Sequence, residues 1–358
     1  MTIAFYIPQL HGGGAERVVT NLSNTFSVYG HNVIIITTVR HEKDYSINDG
    51  IKRFVLNEMG LGKIGLFHKI VRFRRLRSIC KTENVNVLIA FLGGAISYSV
   101  LAGIGLKTKV VVSERNSPNF SYKTWMSQFF AKLYYLMSNG AVFQTVDAQN
   151  WYPLNVQRKS VIIPNPVKEV FYTTTYNPIQ RYLVSVGRLT EQKNYELLIR
   201  AFSRVVKVYP DVQLHIYGDG HLEPVLQQLI DGLNLTENIV LEGRIDDLSQ
   251  KLSQAHIFVM SSDVEGMPNA LMEAMAMGVP AISTDCPCGG PRMLLADNRG
   301  ILVPVKNETK LADAIIKLLE NDELCKNLSI EAKSYMNKFC QETIALSWID
   351  FLNGVVNK

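Results

Sequence analysis

The sequence predicts an α/β fold built from two Rossmann-like domains that face a central cleft. Strand-length apolar runs alternate with helix-length amphipathic segments from one end of the chain to the other, which is typical of parallel sheets covered by helices. Size points the same way, because 358 residues with 47% hydrophobic content exceed one ordinary core. Since open parallel sheets bind ligands at the carboxyl ends of their strands, we expect the functional residues in those loops.

The predicted elements divide the chain near residue 166. The first domain, residues 1–166, has strands at 3–7, 32–37, 85–91, 109–113, 141–144 and 160–163. The second, residues 167–340, has strands at 182–186, 213–217, 239–242, 257–260, 281–284 and 301–303. Segment 164–178, rich in proline and threonine, is the predicted linker. Residues 341–358 are expected to form a helix that crosses back to the first domain.

Charge is divided unevenly between the two predicted domains. Residues 1–166 hold 19 Lys and Arg against 8 Asp and Glu, whereas the rest of the chain holds 18 against 24. The two halves are therefore expected to meet different partners. No apolar run reaches the length of a membrane span, and the amino terminus reads as a strand without a basic leader, so we expect a cytoplasmic protein.

Cysteine usage agrees with a reducing compartment, because five cysteines are scattered along the chain without a second pair at zinc spacing. Only Cys286 and Cys288 lie close together. A redox or metal site is the alternative there, but their proline and glycine neighbours favour an ordinary loop. We therefore expect no cofactor and no metal.

The stretch LHGGGAER, residues 10–17, follows the first predicted strand and opens a helix. Glycines let backbone amides approach a ligand closely, and a helix amino terminus favours an anion, so Gly13 and Gly14 are candidates for ligand binding. A dinucleotide fingerprint would need a third spaced glycine where Arg17 stands, which argues against NAD. A plain tight turn is the alternative interpretation.

The stretch VSVGRLTEQKN, residues 184–194, places Arg188 and Lys193 between a strand and a helix. An arginine can bind two phosphate oxygens with its fork of donors, and a lysine adds a point charge. Together, at a strand end, they indicate diphosphate binding. Two solvated surface cations are the alternative.

The stretch EGMPNALMEAMAMGVPAIST, residues 265–284, predicts a loop, a helix that begins near Pro268, and a strand. Amides at the start of the helix are placed to hold phosphate or sugar oxygens, while Glu265 and Glu273 can accept hydrogen bonds from sugar and ribose hydroxyls. Alternatively, Glu265 near the helix start only complements the helix dipole, and Glu273 within the helix only forms a surface salt bridge. The apolar surroundings of Glu273 favour a functional role, because a buried carboxylate needs a partner.

This last stretch resembles the signature of retaining glycosyltransferases of family 4, also called glycosyltransferase group 1, since Glu265 and Glu273 keep its E-x7-E spacing. The segments GGGAER, IPNPV, VGRLTEQKN, YGDG and LEGRI occur in the order that the family shows, so the similarity covers nearly the whole chain. The resemblance implies a GT-B fold, with a nucleotide-diphosphosugar held mainly by the second domain and an acceptor bound mainly by the first.

Residue roles follow from this resemblance position by position. It implies that Arg188 and Lys193 bind the donor diphosphate, that Glu273 binds the ribose, and that Glu265 contacts the transferred sugar. The implied catalytic residues are Glu265, Arg188 and Lys193. The implied donor-binding residues are Gly13, Gly14, Arg188, Lys193, Arg244, Ile245, Glu265, Gly266, Met267, Pro268, Asn269, Ala270, Leu271 and Glu273. Many family members have a histidine where this chain reads SERNS, so Glu114, Arg115 and Asn116 are the expected acceptor-side residues.

The resemblance also implies retention by a same-face route, in which the leaving phosphate helps to deprotonate the acceptor hydroxyl. No divalent metal is expected, because two cationic side chains and a helix dipole can neutralise the leaving diphosphate. The predicted reaction moves a hexose or N-acetylhexosamine, with a UDP-sugar as favoured donor, to a saccharide acceptor in bacterial surface polysaccharide or glycan assembly. A nucleotide-sugar epimerase and a non-catalytic nucleotide-sugar binding protein are the alternatives.

Two segments of the first half bear on the acceptor. Segment 63–81 holds seven Lys and Arg among eight apolar residues and suits an anionic membrane surface, with a solvated basic face over core contacts as the alternative. Segment 123–138 carries aromatic residues at helical spacing, for which core and membrane contact both stay open. If both face the same way, the acceptor is polyprenyl-diphosphate-linked, and the protein binds the inner face of the cell membrane peripherally. No signature of nucleic-acid binding accompanies the basic residues, so no nucleic acid is expected as a partner.

Overall fold

A computed structural model describes residues 1–57, 66–245 and 247–358. The chain divides into two compact units, Met1–Pro166 with Gln341–Lys358, and Val167–Cys340. Each unit is built on one parallel sheet, and parallel strands need long crossover connections, which are helical here. The α/β architecture expected from the alternating pattern is therefore confirmed.

The first unit contains a parallel sheet of seven strands. The strands are β1 (Thr2–Ile7), β2 (Asn32–Thr37), β3 (Lys52–Val55), β4 (Val87–Phe91), β5 (Lys109–Ser113), β6 (Gly140–Phe143) and β7 (Ser160–Ile162). They lie in the order β3-β2-β1-β4-β5-β6-β7. The helices are α1 (Gly14–Val28), α2 (Leu66–Thr82), α3 (Gly93–Gly103), α4 (Pro118–Ser121), α5 (Trp125–Met137), α6 (Val146–Asn150) and α7 (Leu154–Gln157).

The second unit contains a parallel sheet of six strands. The strands are β8 (Tyr182–Val186), β9 (Gln213–Tyr217), β10 (Ile239–Gly243), β11 (Ile257–Met260), β12 (Ala281–Thr284) and β13 (Ile301–Val303). They lie in the order β10-β9-β8-β11-β12-β13. The helices are α8 (Val170–Thr173), α9 (Tyr195–Val208), α10 (Glu223–Gly232), α11 (Leu248–Ser253), α12 (Asn269–Met277), α13 (Gly290–Leu295), α14 (Glu308–Leu319) and α15 (Asp322–Met336), with short 3₁₀ turns at Glu191–Lys193 and Asn337–Phe339.

The last helix, α16 (Gln341–Val356), packs within the first unit. Its Trp348 is fully buried, and the indole stacks on Phe91 at the end of β4 with 6.1 Å between the ring centroids. A Cβ at Gly140 would lie 2.9 Å from the Phe351 ring, so β6 and this helix are in close contact there. The carboxyl-terminal segment is thus part of the first unit's core.

The prediction that segment 164–178 is a linker is wrong for most of its length, because the chain from Val167 onward folds into the second unit. The Val167 amide donates to the Phe339 carbonyl at 2.9 Å. In α8, Phe171 is buried and the Tyr172 hydroxyl donates to the Met336 carbonyl at 2.8 Å. Proline and threonine content indicated irregular backbone, whereas buried aromatic side chains hold this segment in place.

Both sheets share one topological feature that places the ligand-binding edge. In the first sheet, β2 and β3 lie on one side of the neighbouring pair β1 and β4, and β5, β6 and β7 lie on the other side. In the second sheet, β9 and β10 lie on one side of the pair β8 and β11, and β12 and β13 lie on the other side. The carboxyl ends of such a pair form the switch point at which open parallel sheets bind ligands. The loops after these four strands are therefore the candidate positions for chemistry.

Candidate functional site

Hydrogen bonds join the two loops that follow β8 and β11 at the switch point of the second sheet. The Gln192 side-chain amide donates to the Val264 carbonyl at 2.8 Å, and the Asp263 amide donates to the Gln192 carbonyl at 2.9 Å. The Ser261 hydroxyl donates to the Lys193 carbonyl at 3.0 Å. These bonds hold Lys193 against the loop that leads to α12.

The turn around Asn194 gives Lys193 its position at the start of α9. Asn194 has φ of 48°, a left-handed conformation that asparagine tolerates better than most residues. Its side-chain oxygen accepts from the Leu197 amide at 3.2 Å and caps α9, while its side-chain nitrogen donates to Asp263 Oδ1 at 2.9 Å. One residue thus ends the 3₁₀ turn, begins the helix and fastens both to the neighbouring loop.

Lys193 and Glu265, both predicted site residues, form an ion pair with 2.5 Å between Nζ and Oε1. The same carboxylate oxygen accepts from the Ser262 hydroxyl at 2.8 Å. The side chains are 20% and 9% exposed, and partial burial strengthens the attraction relative to a surface pair. The pair presents a cation and a carboxylate side by side, the combination needed for a phosphate oxygen next to a sugar hydroxyl.

Arg188 lies in a loop whose backbone is fixed by the neighbouring YGDG turn. The Gly187 amide donates to the Tyr217 carbonyl at 2.9 Å, and the Leu189 amide donates to the Asp219 carbonyl at 2.8 Å. A Cβ at Gly218 would lie 1.9 Å from the Gly187 oxygen, so this contact requires glycine. The Arg188 side chain is exposed and, within the described ranges, has no side-chain hydrogen bond. Its guanidinium is available to ligand oxygens.

Helix α12 carries the second predicted carboxylate. Pro268 is the N-cap residue and provides no side-chain cap, and the Met272 amide donates to the Pro268 carbonyl at 3.1 Å. Glu273 is 3% exposed, and all residues from 271 to 277 are buried. Because the amino terminus of α12 follows Glu265 closely in the chain, the positive end of the helix dipole and the ion pair belong to one region.

Arg244 and Ile245 follow the end of β10 and adjoin the YGDG turn. Gly243 has φ of 69°, and its carbonyl accepts from the Gly218 amide at 2.8 Å. The Arg244 side chain is exposed, whereas Ile245 is half-buried. The structure therefore places these two predicted base-binding residues at the same sheet edge as Arg188.

The start of α13 completes this edge and was missed by sequence reasoning. A Cβ at Gly290 would lie 1.8 Å from the Gly266 oxygen and 3.2 Å from Pro268 Cδ. Gly290 therefore sits directly against the segment that joins Glu265 to α12. The sequence signal was the glycine pair that follows β12, which we interpreted only as part of a loop.

Cysteine and metal chemistry have no support at this edge. Burial, assisted by the negative charge of Glu265, raises the pKa of the Cys286 thiol to about 12, so the thiol stays protonated at neutral pH. The described residues contain no group of three or more His, Cys, Asp or Glu side chains that could hold a metal ion. The absence of a metal requirement remains a prediction.

In the first unit, two glycine-containing helix starts occupy the switch point. Gly13 is the N-cap of α1, and the Glu16 carboxylate lies against it, because a Cβ at Gly13 would be 1.9 Å from Glu16 Oε2. After β4, Leu92 has φ of 71° and is followed by Gly93 and the start of α3. Sequence reasoning found the first start and missed the second, although two glycines one residue after a strand were the available signal.

Glu114, a predicted acceptor-side residue, is buried beneath the end of β5. One carboxylate oxygen accepts from the Tyr152 hydroxyl at 3.0 Å and the Tyr135 hydroxyl at 3.4 Å, while the other accepts from the Arg115 and Asn116 amides at 3.1 and 3.4 Å. Burial raises the pKa of Glu114, and the hydrogen bonds from Tyr152 and the two amides oppose that rise. The carboxylate therefore fastens the loop that carries Arg115.

The Arg115 side chain extends from that loop and lies over two aromatic rings. Its guanidinium carbon lies 4.4 Å from the Phe91 centroid and 5.5 Å from that of Trp348, and Nη1 donates to Asn165 Oδ1 at 3.0 Å. Nε and Nη2 are covered and have no hydrogen-bond partner within the described ranges. The structure therefore packs the Arg115 guanidinium within the first unit, and the acceptor-side role of this residue stays a prediction.

Replacing Glu114 by alanine is expected to lower the free energy of unfolding by about 2–4 kcal/mol, because two tyrosine hydroxyls and two backbone amides would lose a buried acceptor. Urea denaturation followed by circular dichroism measures the change. The control is Glu42→Ala, an exposed glutamate of the same unit, for which we expect no more than about 0.5 kcal/mol. Equal effects of the two substitutions would contradict the anchoring role.

The basic segment 63–81 is only partly described, since α2 begins at residue 66 and Lys63 lies outside the described residues. In its second half, Leu76 and Ile79 are buried and Phe73 packs against the same cluster, whereas Ile70 and Val71 in its first half are exposed. Arg77 Nη1 donates to two carbonyls of the α3 end, at 2.7 and 2.6 Å. Phe73 is therefore a core contact, while the exposed surface of the described part of α2 carries basic residues together with Ile70 and Val71.

The aromatic segment 123–138 behaves differently. It forms α5, in which Tyr135 is fully buried whereas Trp125, Phe129 and Phe130 are exposed. Among the helices of the described ranges, none is both long enough and apolar enough to cross a bilayer. These aromatic side chains of α5 therefore lie on the surface of the first unit and are not part of its core.

Comparison with known proteins finds a family match for the second unit and relatives along the whole chain. Residues 174–335 match the family model described as glycosyl transferases group 1. A Campylobacter jejuni protein, GalNAc-alpha-(1->4)-GalNAc-alpha-(1->3)-diNAcBac-PP-undecaprenol alpha-1,4-N-acetyl-D-galactosaminyltransferase, is 26% identical over 366 residues, which cover 100% of this chain and 99% of that protein. The amylovoran biosynthesis glycosyltransferase AmsD of Erwinia amylovora is 24% identical, over 96% of this chain and 97% of its own.

A solved structure supports the fold. The Anabaena protein HepE, crystallised with UDP and glucose, matches with a TM-score of 0.85 at 16% identity, over 99% of this chain and 100% of that one. At such low identity the likeness concerns the fold, and it agrees with the two parallel sheets described above. The family match covers the unit that contains Arg188, Lys193, Glu265 and Glu273. Residues 174–335 thus match the group 1 glycosyl transferases, and the chain has the GT-B fold.

Proposed function

We propose that this transferase moves a hexose or N-acetylhexosamine from a UDP-sugar to a saccharide carried on polyprenyl diphosphate, with retention of the anomeric configuration, in bacterial surface polysaccharide or glycan assembly. The donor assignment is supported by the sheet edge of the second unit, and UDP is the nucleotide that accompanies HepE. The acceptor assignment is supported by the name of the Campylobacter relative, which specifies an undecaprenol-linked saccharide.

The observation that carries the proposal is the joining of two switch-point loops around Lys193 and Glu265. Lys193 and the exposed Arg188 supply positive charge for a diphosphate, and the start of α12 adds helix-dipole stabilisation. Glu273 is assigned to the ribose hydroxyls and the backbone at residues 244–245 to the base. No divalent metal is required, because these groups can neutralise the charge on the leaving diphosphate.

Transfer proceeds on one face of the sugar. The bond between the anomeric carbon and the donor phosphate oxygen breaks, and the acceptor hydroxyl oxygen forms the new bond on the side that the phosphate leaves. The hydroxyl proton passes to the leaving phosphate. Glu265, held by Lys193 and Ser262, orients the sugar and stabilises its developing positive charge rather than forming a covalent intermediate.

The first unit is assigned to the acceptor. Its excess of positive charge suits a diphosphate-linked substrate. The exposed basic side of α2, within segment 63–81, is assigned to electrostatic contact with the anionic inner face of the cell membrane. The protein would then be a peripheral membrane protein of the cytoplasmic side.

The test is an assay of UDP release from several UDP-sugars, with and without a polyprenyl-diphosphate-linked saccharide, in the presence of a chelator. We expect UDP release only with the acceptor, and a product whose new linkage has the donor's anomeric configuration by NMR. A free epimer formed without acceptor would support an epimerase instead. Binding of nucleotide without turnover on any acceptor would support a binding protein, and an inverted linkage would contradict retention.

A further inference from the structure

Helix α5 of the first unit exposes apolar residues where a surface helix normally exposes polar ones. Its solvent-exposed residues are all large and apolar: Trp125 (77% exposed), Met126 (52%), Phe129 (58%), Phe130 (44%), Leu136 (40%) and Met137 (44%). Polar residues of the same helix, such as Ser127, Gln128 and Lys132, are only half-exposed. A contiguous exposed apolar face of this kind indicates an interaction site.

The apolar face and the packed face lie on opposite sides of α5. At 3.6 residues per turn, the six exposed side chains span about 140° of the helix circumference. Ala131 and Tyr135, the buried residues of the helix, are centred about half a turn away. Tyr135 stacks on Tyr152 at 4.1 Å and donates to Glu114, so the packed side is fixed. The aromatic face therefore cannot turn inward without loss of that anchor.

We propose that the exposed face of α5 inserts into the interfacial layer of a phospholipid membrane, as a second contact besides the basic helix α2. Membrane contact would bring the protein to the proposed lipid-linked acceptor, and in that respect the inference rests on the proposed function. The physical role of α5 is different from that of α2, because buried apolar area gives an attachment that salt does not screen.

Side-chain chemistry and charge favour a lipid surface over a protein partner. Tryptophan and phenylalanine with leucine are the residues by which interfacial helices enter a membrane. Lys123 and Lys132 flank the apolar face, each over an aromatic ring, at 5.2 Å from Phe120 and 4.6 Å from Trp151. Long cationic side chains in that position can reach lipid phosphates while their stems stay on apolar surface. The excess of Lys and Arg in residues 1–166 complements an anionic lipid surface.

The experiment is flotation of the full chain with vesicles of phosphatidylcholine, alone and mixed with phosphatidylglycerol, at low and high salt. We compare the wild type with the combined substitutions Trp125→Ser, Phe129→Ser and Phe130→Ser. The matched control carries Val28→Ser and Val146→Ser, which lie in the same unit outside α5 and are 78% and 52% exposed. We expect the α5 variant to lose at least about tenfold in vesicle partitioning at high salt, and the control to bind as the wild type does.

A second measurement needs only the conservative substitution Trp125→Phe, which keeps the apolar face. Lipids brominated in their acyl chains should quench part of the wild-type fluorescence, and Trp125→Phe should remove that quenching while vesicle binding persists. Trp348 is fully buried and Trp151 donates to Asn119, so neither is expected to contribute to it. This result does not depend on the folding of the triple variant.

Several outcomes would overturn the proposal. Binding that high salt abolishes, with the α5 variant equal to the wild type, would leave only the electrostatic contact of α2. A dimer in size-exclusion chromatography with light scattering, converted to a monomer by the α5 substitutions, would identify a second copy of the chain as the occupant. The wild-type thermal shift with UDP, unchanged in the α5 variant, separates this question from the donor site: failure of α5 to bind lipid leaves the proposed transfer intact.

Discussion

Replacing Lys193 by alanine is expected to lower kcat/KM by about 30- to 1000-fold, equivalent to ~2–4 kcal/mol of transition-state stabilisation. Two effects act together. The substitution removes a cation from the diphosphate site, and it leaves the largely buried Glu265 carboxylate with the Ser262 hydroxyl as its remaining partner in the described part of the chain. An uncompensated buried charge is costly, so the carboxylate is expected to change position.

Steady-state kinetics with saturating acceptor measures this effect, and Lys207→Ala is the matched control because Lys207 is an exposed lysine of the same unit, on α9. Its kinetics should equal those of the wild type. Lys193→Arg is expected to restore part of the activity, since it keeps the charge with altered geometry. Wild-type kinetics in Lys193→Ala would contradict the assignment of the ion pair to the reaction.

Gly290→Ala is expected to weaken binding of the donor nucleotide at least about tenfold and to lower the free energy of unfolding by about 2–4 kcal/mol. The new Cβ would lie 1.8 Å from the Gly266 carbonyl oxygen, and that contact is with backbone rather than with a flexible side chain. The segment between Glu265 and α12 must therefore move, and with it the carboxylate and the start of the helix.

Calorimetric titration of UDP and urea denaturation measure the two changes. The control is Gly232→Ala at the end of α10, where an added Cβ meets no atom within 4 Å, and we expect a change below about 0.5 kcal/mol. If Gly290→Ala loses stability but binds UDP normally, the start of α13 is a packing element only. If it loses neither, the close approach to Gly266 is not maintained in solution.

Most of the fold was predictable because its strands are short apolar runs that alternate with helices. All twelve predicted strands occur, with ends shifted by no more than a few residues. The strand that was missed, β3, contains Lys52 and Arg53, pairs only with β2 at the sheet edge, and is not buried. An edge strand of four residues needs no apolar run, so periodicity could not reveal it.

The candidate site was predictable as a set of residues and not as a set of contacts. Arg188, Lys193 and Glu265 were found because charged residues follow strand ends. The ion pair between the last two was not predicted, because it joins positions 72 residues apart through the switch-point topology. Gly290 acts through an approach of two backbones, which leaves little signal in the sequence.

The two amphipathic segments show a different limit. Hydrophobic spacing predicted helices at α2 and α5, but it could not tell which apolar residues face the core. In α2, Phe73, Leu76 and Ile79 pack on the core while Ile70 and Val71 stay exposed. In α5 a small residue and one tyrosine suffice for packing, and the larger aromatic residues remain outside. That difference depends on neighbouring elements, which a single segment does not contain.

Isothermal titration calorimetry of the nucleotide in the presence of a chelator tests the central claim most directly. The account predicts that UDP binds the wild type without metal and that Arg188→Ala and Glu273→Ala each weaken binding, through the diphosphate and the ribose respectively. Binding of GDP or ADP in place of UDP would correct the identity of the base and still support the proposed site. Absence of binding for all three nucleotides, or unchanged affinity in both variants, would contradict a nucleotide-sugar site at this edge of the second unit.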